Sequence, residues 1–195
     1  MIHPVDPLQI PVTARRHMLR LGAVAAVTLA APTVARAAPL APAPGTMLRK
    51  RHLHTGERIA LPALAATAQV APPASLLQRV SRFLRDHYSG DVTTMDPGLL
   101  AQLQSLQQML RTDSTIEIIS GYRSPATNER LRRRGGGGVA SRSLHLVGRA
   151  LDIRFTGVPL ADVRDAALSL RAGGVGYYAK SNFVHIDTGR VRRWG

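Results

Sequence analysis

Apolar positions along the chain switch between two periods, and the switches mark the elements. Leu76, Val80, Phe83 and Leu84 recur at helical spacing behind Ser75, which is expected to cap that helix. Asp96-Pro97 is a sharper start signal, a capping carboxylate followed by proline where a helix needs no N–H. Leu99, Leu103, Leu106 and Leu110 then continue the stripe. Ser124-Pro125 repeats the signal before a short helix reaching Leu131, and Pro159 opens a fourth along Leu160, Val163, Ala167 and Leu170.

Between the helices the period falls to two. Thr115 to Ser120 alternates and is β-branched, and Arg149 to Phe155 alternates so that Ala150, Asp152 and Arg154 share one face. Gly174 to Tyr178, Asn182 to Thr188 and Val191 to Trp194 are further expected strands, and Leu48 to Leu61 reads as a hairpin turning at His54-Thr55-Gly56-Glu57. The links between the last three strands are too short for crossover helices. An α+β domain with helices packed on a small, largely antiparallel sheet is the expectation.

Composition refines the boundaries. Hydrophobic residues make up 45% of the chain and aromatics 4%, so the core must rest on Leu, Val, Ile and Ala. Residues 1–37 stand apart: Arg15-Arg16, an apolar run from Leu21 to Ala31, and Ala35-Arg36-Ala37 form an expected secretory signal of twin-arginine type, cut after Ala37. That run is too short to span a bilayer of about 30 Å. Residues 38–47 are a Pro/Ala-rich linker, and 48–195 the functional domain. Arg132-Arg133-Arg134 with Gly135 to Gly138 is a low-complexity loop shortly before His145.

Charge narrows the partners. Residues 1–37 hold Arg15, Arg16, Arg20 and Arg36 against Asp6, so +3 of the net +14 leaves with them and the mature chain keeps +11. Such a balance suits polyanions, and export to the periplasm or cell envelope favours an anionic wall over nucleic acid. No transmembrane helix is expected in the mature chain. Cysteine is absent, so any metal site must use His, Asp or Glu.

His145 lies in Ser143-Leu144-His145-Leu146-Val147-Gly148-Arg149-Ala150-Leu151-Asp152, and His185 interrupts the apolar run Phe183-Val184-His185-Ile186. Gly148 lets the backbone turn before Asp152. Burying such polar groups unpaired costs several kcal/mol, and a divalent cation would supply the missing partner. Two imidazoles and a carboxylate leave a fourth tetrahedral position for water and favour zinc over magnesium or calcium. A strand histidine is nevertheless more often a hydrogen-bonded core residue, so the residues alone leave both readings open.

The ordered motifs Ser120-Gly121-Tyr122-Arg123-Ser124-Pro125-Ala126-Thr127-Asn128, Ser143 to Asp152, and Val175-Gly176-Tyr177-Tyr178 running to Val184-His185-Ile186-Asp187-Thr188-Gly189 carry a resemblance. They resemble the zinc D-Ala-D-Ala carboxypeptidases and murein endopeptidases, whose zinc fold hedgehog signalling domains share, and within them the YcbK-like branch. The resemblance implies one zinc per chain held by His145, Asp152 and His185. It also implies a peptidoglycan muropeptide substrate, an oxyanion- or peptide-binding Arg123, and Ser143 and Tyr177 on the substrate side. Many relatives place a catalytic acid three residues before the last histidine, where this chain has Asn182. Asp187 is then the expected base or the residue orienting a ligand, with Glu129 and Ser143 weaker options. The competing expectation is a zinc-containing, non-catalytic wall-binding protein.

Overall fold

The computed structural model describes residues 47–62, 72–134 and 139–195. The expected signal segment, the linker up to residue 46 and Gly135 to Gly138 lie outside them. Seven strands and four helices follow in the order β1 (Met47–His52), β2 (Arg58–Pro62), α1 (Ala74–Phe83), α2 (Pro97–Met109), β3 (Ile116–Ser120), α3 (Pro125–Arg133), β4 (Ala150–Phe155), α4 (Leu160–Leu170), β5 (Gly174–Tyr178), β6 (Phe183–Asp187) and β7 (Arg192–Trp194). A short 3-10 helix, Leu144–Val147, precedes β4. The architecture is α+β.

Local signals explain most of the boundaries. Asp96 accepts from Gly98 N–H at 2.8 Å with Pro97 at the first helical position, and Ser124 does the same for Thr127. Ser75 does not cap α1. The helix starts one residue earlier, at Ala74, and the Pro73 carbonyl takes the first amides while Ser75 stands exposed in the opening turn.

The sheet is mixed, in the order β2-β1-β3-β4-β6-β5-β7. Four pairings are antiparallel, but β1 with β3 and β5 with β7 are parallel. The second parallel pair corrects the reading of the short links. The link from β6 to β7 passes around the end of β5 to its outer edge, a step of two strand widths or about 10 Å that a few residues can span. Gly173 and Gly174 permit this passage: a Cβ on Gly173 would lie 1.7 Å from the Asp187 carbonyl oxygen, and one on Gly174 2.3 Å from the Arg192 guanidinium.

One face of the sheet is apolar. Ile116, Ile118, Leu151, Ile153, Phe155, Val175, Val184 and Ile186 pack there with Val80, Leu99, Leu103, Leu106, Val163 and Ala167 from α1, α2 and α4. Each of the Val, Leu, Ile and Phe side chains contributes roughly 1.5–3 kcal/mol of burial. Alternation sends Asp152 and His185 to the opposite face, and the bulge between Ile118 and Ser120 turns Ser120 to join them.

Candidate metal centre

Five strands set one row across the polar face. The register pairs Ser120 with Asp152, Asp152 with His185, His185 with Gly176 and Gly176 with Trp194. A side chain at Gly176 would collide with the Trp194 indole at 2.6 Å, so glycine lets that ring lie beside His185, 5.2 Å between centroids.

His145 comes from the 3-10 helix. Ser143 caps it by accepting from His145 N–H at 3.3 Å, and Gly148 ends it at φ 68°, a conformation glycine adopts freely. That turn is bonded reciprocally to the Ser120–Ser124 loop. Arg123 N–H donates to the His145 carbonyl at 3.1 Å, and His145 Nδ1–H donates to the Gly121 carbonyl at 2.6 Å. Gly121 is needed there, because a Cβ would sit 2.4 Å from the Leu84 carbonyl oxygen.

One partner fixes the His145 tautomer. A carbonyl can only accept, so the proton of His145 is on Nδ1 and its Nε2 carries a lone pair. His185 has a carboxylate at each ring nitrogen, Asp187 at 3.3 Å from Nε2 and Asp152 at 2.8 Å from Nδ1, so Asp187 can take the Nε2 proton and leave Nδ1 to face the cluster. His145 Nε2 and His185 Nδ1 face each other at 3.2 Å, and Asp152 Oδ1 lies 3.2 Å from the first and 2.8 Å from the second. One ligand atom from each of the three residues lies within 4.8 Å of the others, and all three side chains are buried. Two imidazoles and one carboxylate gathered this closely suit a divalent metal.

The electrostatics agree. Burial, and then the Arg123 charge, hold His145 below the usual imidazole range. Burial also opposes charge on His185, but its bonds to Asp152 and Asp187 outweigh that and raise it. Burial alone would raise Asp152, yet the two histidines and Arg123 hold it well below the carboxylate range. Its Oδ2 accepts from Arg123, whose Nε–H donates to Ser120 Oγ at 2.8 Å.

The cluster opens on a cavity of about 490 Å³ walled by Arg123, Arg142, Ser143, Tyr178, Phe183 and Trp194, among others. Trp194 Nε1–H donates to the Tyr178 hydroxyl at 2.9 Å, and Tyr178 stacks on Phe183.

Residues 41–194 match the family described as peptidoglycan L,D-endopeptidase MepK. The chain belongs to that family. It is 44% identical over 180 residues to the peptidoglycan L,D-endopeptidase MepK of Escherichia coli strain K12, covering 92% of this chain and 96% of that one. It is 41% identical over 181 residues to the probable peptidoglycan L,D-endopeptidase MepK of Haemophilus influenzae, covering 92% and 95%.

Other expected site residues of this MepK-family chain fall in different places. Arg123 and Ser143 line the cavity. Tyr177 does not: it neighbours Gly176 in β5 and so points to the apolar face, packed on the core and under the Arg164 guanidinium at 4.7 Å. Tyr178, one residue on, is the tyrosine at the cavity. Asn182 is exposed in the β5–β6 turn at φ 54°, a left-handed conformation that asparagine tolerates. Glu129 binds Arg132 and Arg133 on α3, outside the cavity wall. Asp187 lies behind His185, fully buried, accepting from Gly174 and Gly189 amides at 2.8 Å and from Arg192. Sequence reasoning missed Trp194, Phe183 and Arg142. Trp194, the chain's one tryptophan, sits in the last expected strand and was the signal available.

Proposed function

We propose that this chain is a zinc-dependent peptidase that hydrolyses peptide cross-links of bacterial peptidoglycan. One observation carries the metal: a buried cluster in which one ligand atom each from two imidazoles and a carboxylate lies within 4.8 Å of the others. The relatives' names supply the substrate and point to the L,D type of linkage. The mixed sheet with its metal row on the polar face is read as the zinc fold shared by D-Ala-D-Ala carboxypeptidases and hedgehog domains.

His145 Nε2, Asp152 Oδ1 and His185 Nδ1 would hold the ion. When bound, zinc supplies Lewis acidity, which makes water a nucleophile near neutral pH and polarises the scissile carbonyl. Gly121 and Asp187 each accept the N–H that faces away from the ion and so hold the two imidazoles in orientation. Arg123 grips the outer oxygen of Asp152 and fronts the cavity, placed to hold a substrate carboxylate or the oxygen that gains charge during attack. Tyr178, Phe183 and Trp194 form the wall against which a stem peptide would lie. Asp187, with its oxygens occupied by donors, orients His185 and is not the base.

Residues 1–37 are proposed as the export signal that delivers domain 48–195 to the periplasm, where the substrate is. No helix among the described residues is long and apolar enough to cross a membrane.

A second reading is supported by one observation. Asp152 is the one carboxylate among the cavity-lining residues, and Asn182 adds none, so no acid other than a ligand is at hand to take a proton. A zinc protein that binds wall without cutting it is the result. Incubation with purified sacculi decides: the peptidase releases zinc-dependent soluble muropeptides, whereas the binder sediments and releases none. His145→Ala or His185→Ala is expected to lose both bound zinc, by elemental analysis, and fragment release. Full release by either variant would remove the site.

A further inference from the structure

The sheet face that carries the metal row continues into a row of arginines. Asp152 and Arg154 stand two residues apart on β4, so they project to one face. Across the neighbouring strands Arg154 lies opposite Glu117, Glu117 opposite Arg51, and Arg51 opposite Arg58. Contacts fix the shared face: Glu117 accepts from Arg154 Nε–H at 2.6 Å and from Arg51 at 2.8 Å. Arg49, two residues before Arg51, extends the row along β1.

Arg49, Arg51, Arg58 and Glu117 line a second cavity, of about 580 Å³, distinct from the one over the metal row. Its single carboxylate is already shared between two guanidiniums, so positive charge remains in excess. Arg49 and Arg58 are exposed, and among the described residues neither stands in an ion pair. With strands about 4.8 Å apart and a rise of about 3.3 Å per residue, Arg51 lies roughly 12 Å from Asp152, the reach of about four residues of extended chain.

We infer that this arginine face is a secondary binding surface for the carboxylate-bearing peptidoglycan polymer, holding the strand whose cross-link enters the cavity above His145, Asp152 and His185. The inference rests on the peptidase reading. Guanidinium forks spaced along a sheet suit carboxylates spaced along a polymer, while a phosphate headgroup would draw several donors to a single point. Continuity with the metal row on one face favours the substrate itself over a lipid surface.

The test compares wild type with R49Q/R58Q and R49K/R58K. Three quantities are read: cosedimentation with purified sacculi, fragment release from them, and hydrolysis of a small soluble cross-linked muropeptide. The glutamine pair should weaken sacculus retention and release roughly tenfold more than muropeptide hydrolysis, about what two exposed ion pairs supply, with a shallower salt dependence. The lysine pair should retain most of both. Equal retention by R49Q/R58Q and wild type would overturn the inference, as would equal losses on polymer and muropeptide. So would phosphatidylglycerol vesicles that discriminate the variants when sacculi do not. If wild type cuts neither substrate the peptidase reading fails, while cosedimentation still decides the surface.

Discussion

Two regions of the sheet, the central β4–β6 pair and β1 near one edge, bury ionisable side chains and treat them in opposite ways. At the β4–β6 pair each buried side chain of the metal row has an oriented partner: Gly121 for His145, Asp187 for His185, Arg123 for Asp152. At the β1 end, Lys50 Nζ, His52 Nε2 and His87 Nε2 are buried with no hydrogen-bond partner among the described residues. Lys50 is 1% exposed on the apolar face, opposite Ile59 and Ile116. The difference separates burial that aims a group from burial that only costs. Burial pushes the Lys50 amine down to about 7, and His52 and His87 down to about 4, aided by their mutual repulsion and that of His54. No comparable displacement toward neutrality is imposed on Asp187, which four donors hold well below the carboxylate range despite burial.

Breaking the partnered end should produce the largest effect. Asp187→Asn preserves shape but replaces an acceptor with a group that must present N–H toward at least one existing donor among Gly174, Gly189, Arg192 and His185. Zinc affinity is expected to fall about 10- to 100-fold, as when other ligand-orienting carboxylates are changed, and peptidase activity with it. Stability should drop by about 2–4 kcal/mol. A metal titration separates the roles: unchanged zinc affinity in a folded Asp187→Asn protein would show that Asp187 only ties down the β6–β7 link.

The unpartnered end should respond in the other direction. Lys50→Met keeps length and removes the amine, and it is expected to stabilise the fold by on the order of 3–5 kcal/mol near and below pH 7. The sign follows from proton uptake. Between the folded value of about 7 and the unfolded 10.5 the unfolded chain binds more protons, so wild-type stability climbs with pH across that window. The advantage of Lys50→Met should therefore be largest at pH 7 or lower and vanish above about pH 10.5. Thermal unfolding at several pH values checks it, and a destabilised Lys50→Met at pH 7 would mean the amine has a partner.

Much of this division was legible in the chain. Asp96-Pro97 and Ser124-Pro125 announced their helices because capping is local chemistry, and the alternation around Asp152 placed its side chain because a strand has period two. The spacing of His145, Gly148 and Asp152 carried the metal row through one left-handed turn. What stayed hidden depends on neighbours the sequence does not name. The position of β7 outside β5 is a choice of edge, not of pattern, and with it went Trp194 and the cavity's aromatic wall. Tyr177 and Tyr178 differ by one residue and so by one face, which the Gly176–His185 pairing decides. Lys50 and His52 were unreadable as core because the run Arg49-Lys50-Arg51-His52 shows no apolar face at all.

The smallest expected effect is acid sensitivity at the β1 end, and it sharpens the comparison most finely. His54 and His87 stack with ring centroids 4.0 Å apart, and His52 lies 5.7 Å from His87 with Phe83 at its other side. The charged groups around them are mixed, with Glu57 and Asp86 favouring protonation and Arg85, Arg123 and Arg130 opposing it, so burial and crowding decide. Because the folded values of about 4 lie below the unfolded 6.5, the unfolded chain takes up protons that the folded chain refuses as pH falls through that window. Stability should decline from about pH 6.5 to pH 4 and then level off for these groups. His87→Gln removes one of the two protons from that count but also loses the stacked ring. It should be less stable than wild type by up to about 1 kcal/mol at pH 7, and close the gap or overtake it near pH 4.5, the gain discounted because His87 is half-exposed. Parallel stability curves for the two proteins across that range would mean that the histidine cluster carries no strain, and that the contrast between the two regions of the sheet reduces to Lys50 alone.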